Sequence, residues 1–74
     1  MLLKIGELAV ELNRLPSTIH FYTQEGLLKP DSYTQGGYRL YEKNKALLKV
    51  KEIEKLQSQK RWTIQEIKNY FKNK

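Results

Sequence analysis

Cysteine is absent from the 74-residue chain, and its single histidine, His20, has no ligand cluster around it. Disulfides, thiolate metal sites and cysteine nucleophiles are excluded together, and no metal or cofactor is expected. A reducing cytoplasm suits such a chain. Long apolar runs are missing as well: Met1-Leu2-Leu3 is interrupted by Lys4, so neither the apolar stretch of a signal peptide nor a membrane span is expected, and the protein is expected to be soluble. Nor does the sequence offer a general acid/base pair, a nucleophile beside a base or a phosphate-binding loop, so an enzyme is not expected. Gly36-Gly37 serves as turn punctuation.

At 8.8 kDa the chain makes one domain, 1–74. A domain of this size buries only about 60 to 65 per cent of the surface its unfolded form exposes, which argues against a deep enclosed substrate cavity. Hydrophobic residues at 39% with eight aromatics are enough for one small core despite 30% charged residues. The formal net charge is +6 and the isoelectric point is near 9.7. A basic small domain most often meets a polyanion, because neutralising phosphates releases counterions. The excess is C-terminal: residues 1–42 hold four Lys/Arg against five Asp/Glu, and residues 43–74 hold ten against three.

Ile5, Leu8, Ala9 and Leu12 recur at i, i+3, i+4, i+7, which predicts a short helix from Leu3 to Leu12, and Asn13 suits a left-handed residue closing it. Pro16 fits the first position of a second short helix carrying Ile19 and Tyr22 and stopping at Gly26. Helix, turn, helix is the outline of a DNA-reading unit, but two short helices joined by a turn occur in many bundles. Leu27-Leu28-Lys29 and Tyr38-Arg39-Leu40-Tyr41 then predict two brief strands around the turn-rich stretch Pro30 to Gly37, a hairpin with a long tip. With Leu40 inward, alternation leaves Arg39 free to point at a partner or simply into solvent. From Lys43 to about Gln59, Leu47, Val50, Ile53 and Leu56 recur at steps of three in a stretch without Gly or Pro, a third and longer helix whose lysines form no single stripe and mostly solvate it. Thr63-Ile64-Gln65-Glu66 has the pattern of a capping box, with Trp62 and Ile67 placed as a hydrophobic staple. The fourth helix starts there, with Ile64, Ile67, Tyr70 and Phe71 as its apolar face.

Taken in order, Ile5-Gly6-Glu7-Leu8-Ala9, Pro16-Ser17-Thr18-Ile19-His20-Phe21-Tyr22, Glu25-Gly26-Leu27-Leu28-Lys29-Pro30, Gly37-Tyr38-Arg39-Leu40-Tyr41 and Thr63-Ile64-Gln65-Glu66-Ile67 closely resemble the DNA-binding domain of MerR-family transcription regulators. The resemblance covers nearly the whole chain. It implies a mainly α fold: a winged helix-turn-helix with the helix-turn-helix at about 3–26, a short two-stranded wing at about 27–41 and a helical pair at about 43–72. It implies that the second helix enters the DNA major groove while the wing grips the backbone. Carried over residue by residue, Ser17, Thr18, His20, Phe21 and Tyr22 fall on the recognition helix, and Tyr38 and Arg39 on the wing. Hydroxyls and a ring nitrogen can bond phosphates or base edges, and Arg39 is a fork-shaped phosphate donor. Tyr22 equally suits a core tyrosine whose hydroxyl reaches out. Ile5, Leu8, Leu12, Ile19, Leu27, Leu28, Leu40 and Trp62 are expected in the core.

The chain departs from the family pattern at several points. His20 stands where arginine is usual, Leu15 where a small capping residue is preferred, and Arg14 where an aliphatic side chain is usual. The turn before Trp62 has Lys60 or Arg61 in place of glycine, and the third helix region is about two residues longer. The dimerisation helix and effector domain of the regulators find no counterpart in these residues, so the 74-residue chain is expected to be a monomer, with a homodimer expected only of a longer native chain. The favoured reading is sequence-specific double-stranded DNA binding, as a bacterial MerR-like transcription regulator or its DNA-binding domain. The alternatives are an architectural, nucleoid or excisionase-like DNA binder and, since residues 1–42 are not themselves basic, a protein-interaction module such as a chaperone modulator.

Overall fold

The first departure from expectation lies at Leu3, which joins Leu2 in a short strand, β1 (Leu2–Leu3), rather than starting a helix. Their extended backbone pairs antiparallel with Tyr41 and Glu42, and Lys4, still extended, is the residue from which the first helix departs. In this computed structural model, which describes residues 1–73, helix α1 spans Ile5–Leu12, where the apolar stripe itself begins and ends. The Glu7 carboxylate accepts the Lys4 N–H at 2.9 Å. Asn13 closes α1 at φ 55, as expected, with the Asn13 N–H on the Val10 carbonyl and the Arg14 N–H on that of Ala9.

Helix α2 (Pro16–Gln24) has proline at its first position, but Leu15 before it supplies no side-chain cap. It closes at Gly26, φ 78, where Gly26 N–H meets the Thr23 carbonyl and Leu27 N–H the Tyr22 carbonyl. The following leucines are not a strand, contrary to the expectation for Leu27-Leu28-Lys29. The N–H groups of both Leu27 and Leu28 are spent on the Tyr22 carbonyl, at 2.9 and 3.2 Å, and their side chains are driven into the core.

The wing's strands are β2 (Ser32–Tyr33) and β3 (Arg39–Glu42), with Tyr33 opposite Arg39 and Ser32 opposite Leu40. Its tip is tighter than expected. Thr34 N–H bonds to the Tyr38 carbonyl at 2.8 Å and Gly37, at φ 88, donates to the Thr34 carbonyl, leaving a three-residue loop with glycine at its left-handed position. Because β1 adds to the far side of β3, the sheet has three strands in the order β1-β3-β2, not the two expected. The facing of β3 is also reversed: Tyr41 is completely buried and Leu40 only half-buried. Tyr41 lies opposite Leu3, so the two share the face against the helices. An aromatic ring buries more apolar area than leucine, and the Tyr41 hydroxyl finds Thr23 Oγ1 at 2.9 Å.

Helix α3 (Lys43–Ser58) is capped by Glu42, whose carboxylate accepts the Lys45 N–H. It buries Ala46, Val50, Ile53 and Leu56; Ala46 rather than the half-buried Leu47 takes the inner position, as the four-residue step to Val50 requires. Helix α4 (Ile64–Lys72) starts at the expected capping box, Thr63 N–H to Glu66 at 2.8 Å and Glu66 N–H to Thr63 Oγ1 at 3.2 Å. Ile67 is fully buried. Ile5 and Trp62, expected in the core, pack on its margin together with Ile64, Tyr70 and Phe71.

Candidate nucleic-acid interface

Nine residues of α2 make two and a half turns, and the spacing divides them cleanly. Ile19 and Tyr22 face the core, while Ser17, His20, Phe21 and Gln24, again at i, i+3, i+4, i+7, are exposed on the opposite side. Phe21 keeps 42% of its surface in solvent although it is aromatic. Thr18 is half-buried at the edge of that face. Tyr22, carried by the resemblance to the recognition surface, is instead a core side chain with 5% of its surface exposed. Its ring lies inward because position 22 sits one turn after Ile19, and its hydroxyl approaches Gln57 Oε1 on α3 at 3.4 Å. Burial, with the Glu54 carboxylate nearby, holds the Tyr22 hydroxyl above the usual phenol value. Tyr22 therefore anchors the helix from behind.

The wing brings its own groups to the same side. A cleft of about 600 Å³ lies between the start of α1, His20 of α2 and the wing, and His20, Tyr38 and Arg39 all line it. These three sequence-expected residues, separated by eighteen positions between His20 and Tyr38, are thus gathered in one place. Lys4 and Tyr33 line it too. Lys4 Nζ stands 5.3 Å from the centre of the Tyr38 ring. Sequence reasoning missed Lys4, Tyr33 and Gln24. The i+7 step from Ser17 could have found Gln24; only the pairing of β1 and β2 against β3 places Lys4 and Tyr33. Ser17, Thr18 and Phe21 do not line the cleft but continue from His20 along α2.

Several α3 lysines are structural. Lys43 pairs with Glu11 at 3.3 Å, Lys45 with Asp31 at 2.6 Å, and Lys49 Nζ lies 3.9 Å over the Phe71 ring. The Lys45 ammonium, with the Glu42 N–H, holds the Asp31 carboxyl below the usual carboxylate range. Arg14, in the turn between α1 and α2, grips Glu54 of α3 with both arms of its guanidinium, the second at 2.6 Å, and also donates to the Leu12 and Asn13 carbonyls. That hydrogen-bonded charge depresses the Glu54 carboxyl and raises Arg14. The exposed face of α2 is therefore held from three sides: by the core, by Tyr22 on Gln57 and by the Arg14–Glu54 pair. Among the described residues no cluster of His, Cys, Asp or Glu could hold a metal ion, and no helix is long and apolar enough to cross a membrane.

An exposed helix face beside a wing on a basic chain is the geometry of a double-helix reader. The family model described as MerR HTH family regulatory protein matches residues 3–74. The chain belongs to the MerR HTH family. A MerR-family transcriptional regulator from Bacillus cereus is 32% identical, with a TM-score of 0.68 over 96% of this chain and 52% of its own. The transcription regulator PbrR691 from Ralstonia metallidurans CH34, solved in complex with lead(II), is 31% identical, with a TM-score of 0.78 over 95% of this chain and 53% of its own. The chain thus spans about half the length of these two MerR-family proteins. No curated protein matches it. Three departures from the MerR pattern have local consequences: the Leu15 side chain leaves α2 uncapped, Arg14 forms an ion pair, and Arg61 takes the left-handed conformation, φ 55, in the turn where glycine is usual.

Proposed function

We propose that this chain binds double-stranded DNA sequence-specifically, as the DNA-binding part of a bacterial transcription regulator acting in the cytoplasm. The observation that carries the reading is the wing cleft, where His20 of the recognition helix meets Tyr38 and Arg39 of the wing. In this reading α2 enters the major groove with Ser17, His20, Phe21 and Gln24 toward base edges and Thr18 at its border, while the wing and Lys4 take the adjacent backbone. Hydroxyl, imidazole and amide groups can donate or accept at base edges, the exposed edge of Phe21 can lie against a thymine methyl, and a guanidinium can bond a phosphate at two oxygens. Tyr22 contributes by position, not contact.

Titrating one duplex at several salt concentrations tests the proposal. The expected result is an affinity that falls linearly on a log-log plot, with a slope of about −0.9 for each phosphate neutralised. Binding that is absent at low salt, or indifferent to salt, contradicts it.

A further inference from the structure

A second and larger cleft, about 720 Å³, opens between the stretch from Gly26 to Asp31, the first half of α3 and the polar face of α4. It shares no residue with the wing cleft. Its floor is apolar, made by Leu27, Leu28, Ala46 and the half-buried Phe71. Its rim is cationic: Lys29, Lys45, Lys49, Lys68 and Lys72 stand around it against only Glu25 and Asp31. Half of the chain's net charge of +6 therefore gathers at this one opening.

Both carboxylates are already engaged, Asp31 with Lys45 at 2.6 Å and Glu25 with Lys68 at 3.5 Å. Lys49 is seated over Phe71, while Lys29 and Lys72 are exposed. Like charges crowded on a rim repel one another, and an anion set among them relieves that repulsion. An apolar floor inside a charged rim matches the anatomy of a protein interface, in which an apolar anchor fills a pocket and rim charges select the partner. The leucines are already buried, so the apolar surface left to cover is that of the half-buried Phe71, to which a DNA backbone would bring only phosphates.

We propose that this cleft docks an acidic peptide segment of another protein, one apolar or aromatic side chain seated against the part of Phe71 that Lys49 leaves open and its carboxylates facing Lys29 and Lys72, with Lys68 shared with Glu25. The cleft would give a DNA-bound domain a separate hold on a protein partner, and the inference does not depend on the DNA reading.

The experiment titrates the 74-residue chain into a fluorescent Glu-rich peptide carrying Leu and Phe, into its twin with Gln for every Glu, and into a labelled duplex. Two double variants remove equal charge: Lys29→Gln with Lys72→Gln at the cleft, and Lys51→Gln with Lys55→Gln on exposed turns of α3 outside it. The expected result is binding of the acidic peptide over its Gln twin, weakened roughly three- to tenfold by the cleft pair and little by the other. Equal losses from both pairs would reduce the effect to general attraction and overturn the proposal. Failure to bind the acidic peptide overturns it as well. A cleft pair that weakens the duplex more than the peptide would assign the surface to DNA, and loss of a self-associated species in sedimentation would assign it to a second copy. The duplex titration of the unaltered chain reports separately on the DNA reading.

Discussion

Arg39 lies two residues before Tyr41, whose ring is wholly buried, and opposite Tyr33 in the hairpin ladder, so its backbone is fixed where the cleft needs it. Lys51, exposed on α3, has its ammonium on a flexible stem instead. A charge-assisted hydrogen bond from a preplaced guanidinium is worth roughly 1.5–3 kcal/mol, so Arg39→Ala is expected to weaken duplex binding about tenfold or more and Lys51→Ala considerably less. Fluorescence anisotropy on both variants, with circular dichroism to verify folding, checks this; equal losses would reduce the wing to general electrostatics. Arg61 offers a prediction of stability. A side chain in the left-handed region costs roughly 1–2 kcal/mol, and glycine's extra freedom in the unfolded chain returns about 0.4–1 of it. Arg61→Gly should therefore stabilise the fold by roughly 0 to 1.6 kcal/mol, a rise in Tm of roughly 4–8 °C for each kcal/mol in a domain of this size. A lower Tm would mean that the arginine side chain makes contacts worth more than the strain. His20, Tyr38 and Arg39 were legible because their chemistry and motif coincide, whereas Tyr22 was open to both readings: only the packing of α2 on α3 shows that its ring turns inward.

The elements were legible in proportion to their length. Periodicity gave α1 its stripe, the capping box fixed the start of α4, and Asn13 and Gly26 marked helix ends correctly. Two-residue strands carry no period, so β1 goes unread and β2 is expected some residues too early, and the apolar pair Leu40-Tyr41 could be assigned to either face by alternation alone. No local pattern could announce the clasp between Arg14 and Glu54, forty residues apart, which ties the α1–α2 turn to α3. With a third of each side chain facing water, solvent screening limits that pair to about 1 kcal/mol, the upper end for exposed pairs with two-armed geometry. The Glu54 carboxyl titrates below its ordinary value because of Arg14, so its contribution is complete above the unfolded carboxylate pKa of about 4.3 and disappears as pH falls through the folded value. Asp31, held down by the Lys45 ammonium and the Glu42 N–H, and Glu42, held down by the Lys45 N–H and the N-terminal ammonium, act in the same direction. Glu54→Gln should lower stability at pH 7 and make the acid limb of a stability-versus-pH curve shallower, while Asp31 and Glu42 keep part of it. Urea unfolding at a series of pH values measures this, and an unaltered acid limb would remove the clasp from the account.

At the scale of the molecule, the question is what apolar surface remains for assembly. Ile67 is buried and Ile64, Tyr70 and Phe71 are packed against the core, so the apolar face of α4 is largely consumed within the chain. Apart from the N-terminal Met1 and Leu2 and the aromatic residues of α2 and the wing, the large apolar side chains left outside are Val10, Leu15 and Leu48, which sit on three different segments and line no helical seam. Isolated apolar residues of this kind are ordinary on a monomer. The 74-residue chain is therefore expected to be monomeric at micromolar concentration. One helix and one wing then meet only one half-site, with affinity near the non-specific range of roughly 10⁻⁴ to 10⁻⁶ M at physiological salt. Joining two such modules turns the second binding event into an intramolecular one, which can raise affinity by about 10² to 10⁴ where the linker lets both engage. A flexible linker and a dimerising coiled coil appended after Lys74 should accordingly tighten binding to a duplex with two half-sites far more than to a duplex with one. Sedimentation equilibrium and paired titrations decide both parts. A stable dimer of the 74-residue chain would require an association surface that these scattered side chains do not provide, and equal gains on the one-site and two-site duplexes would show that the coiled coil adds contacts of its own rather than linking two readers.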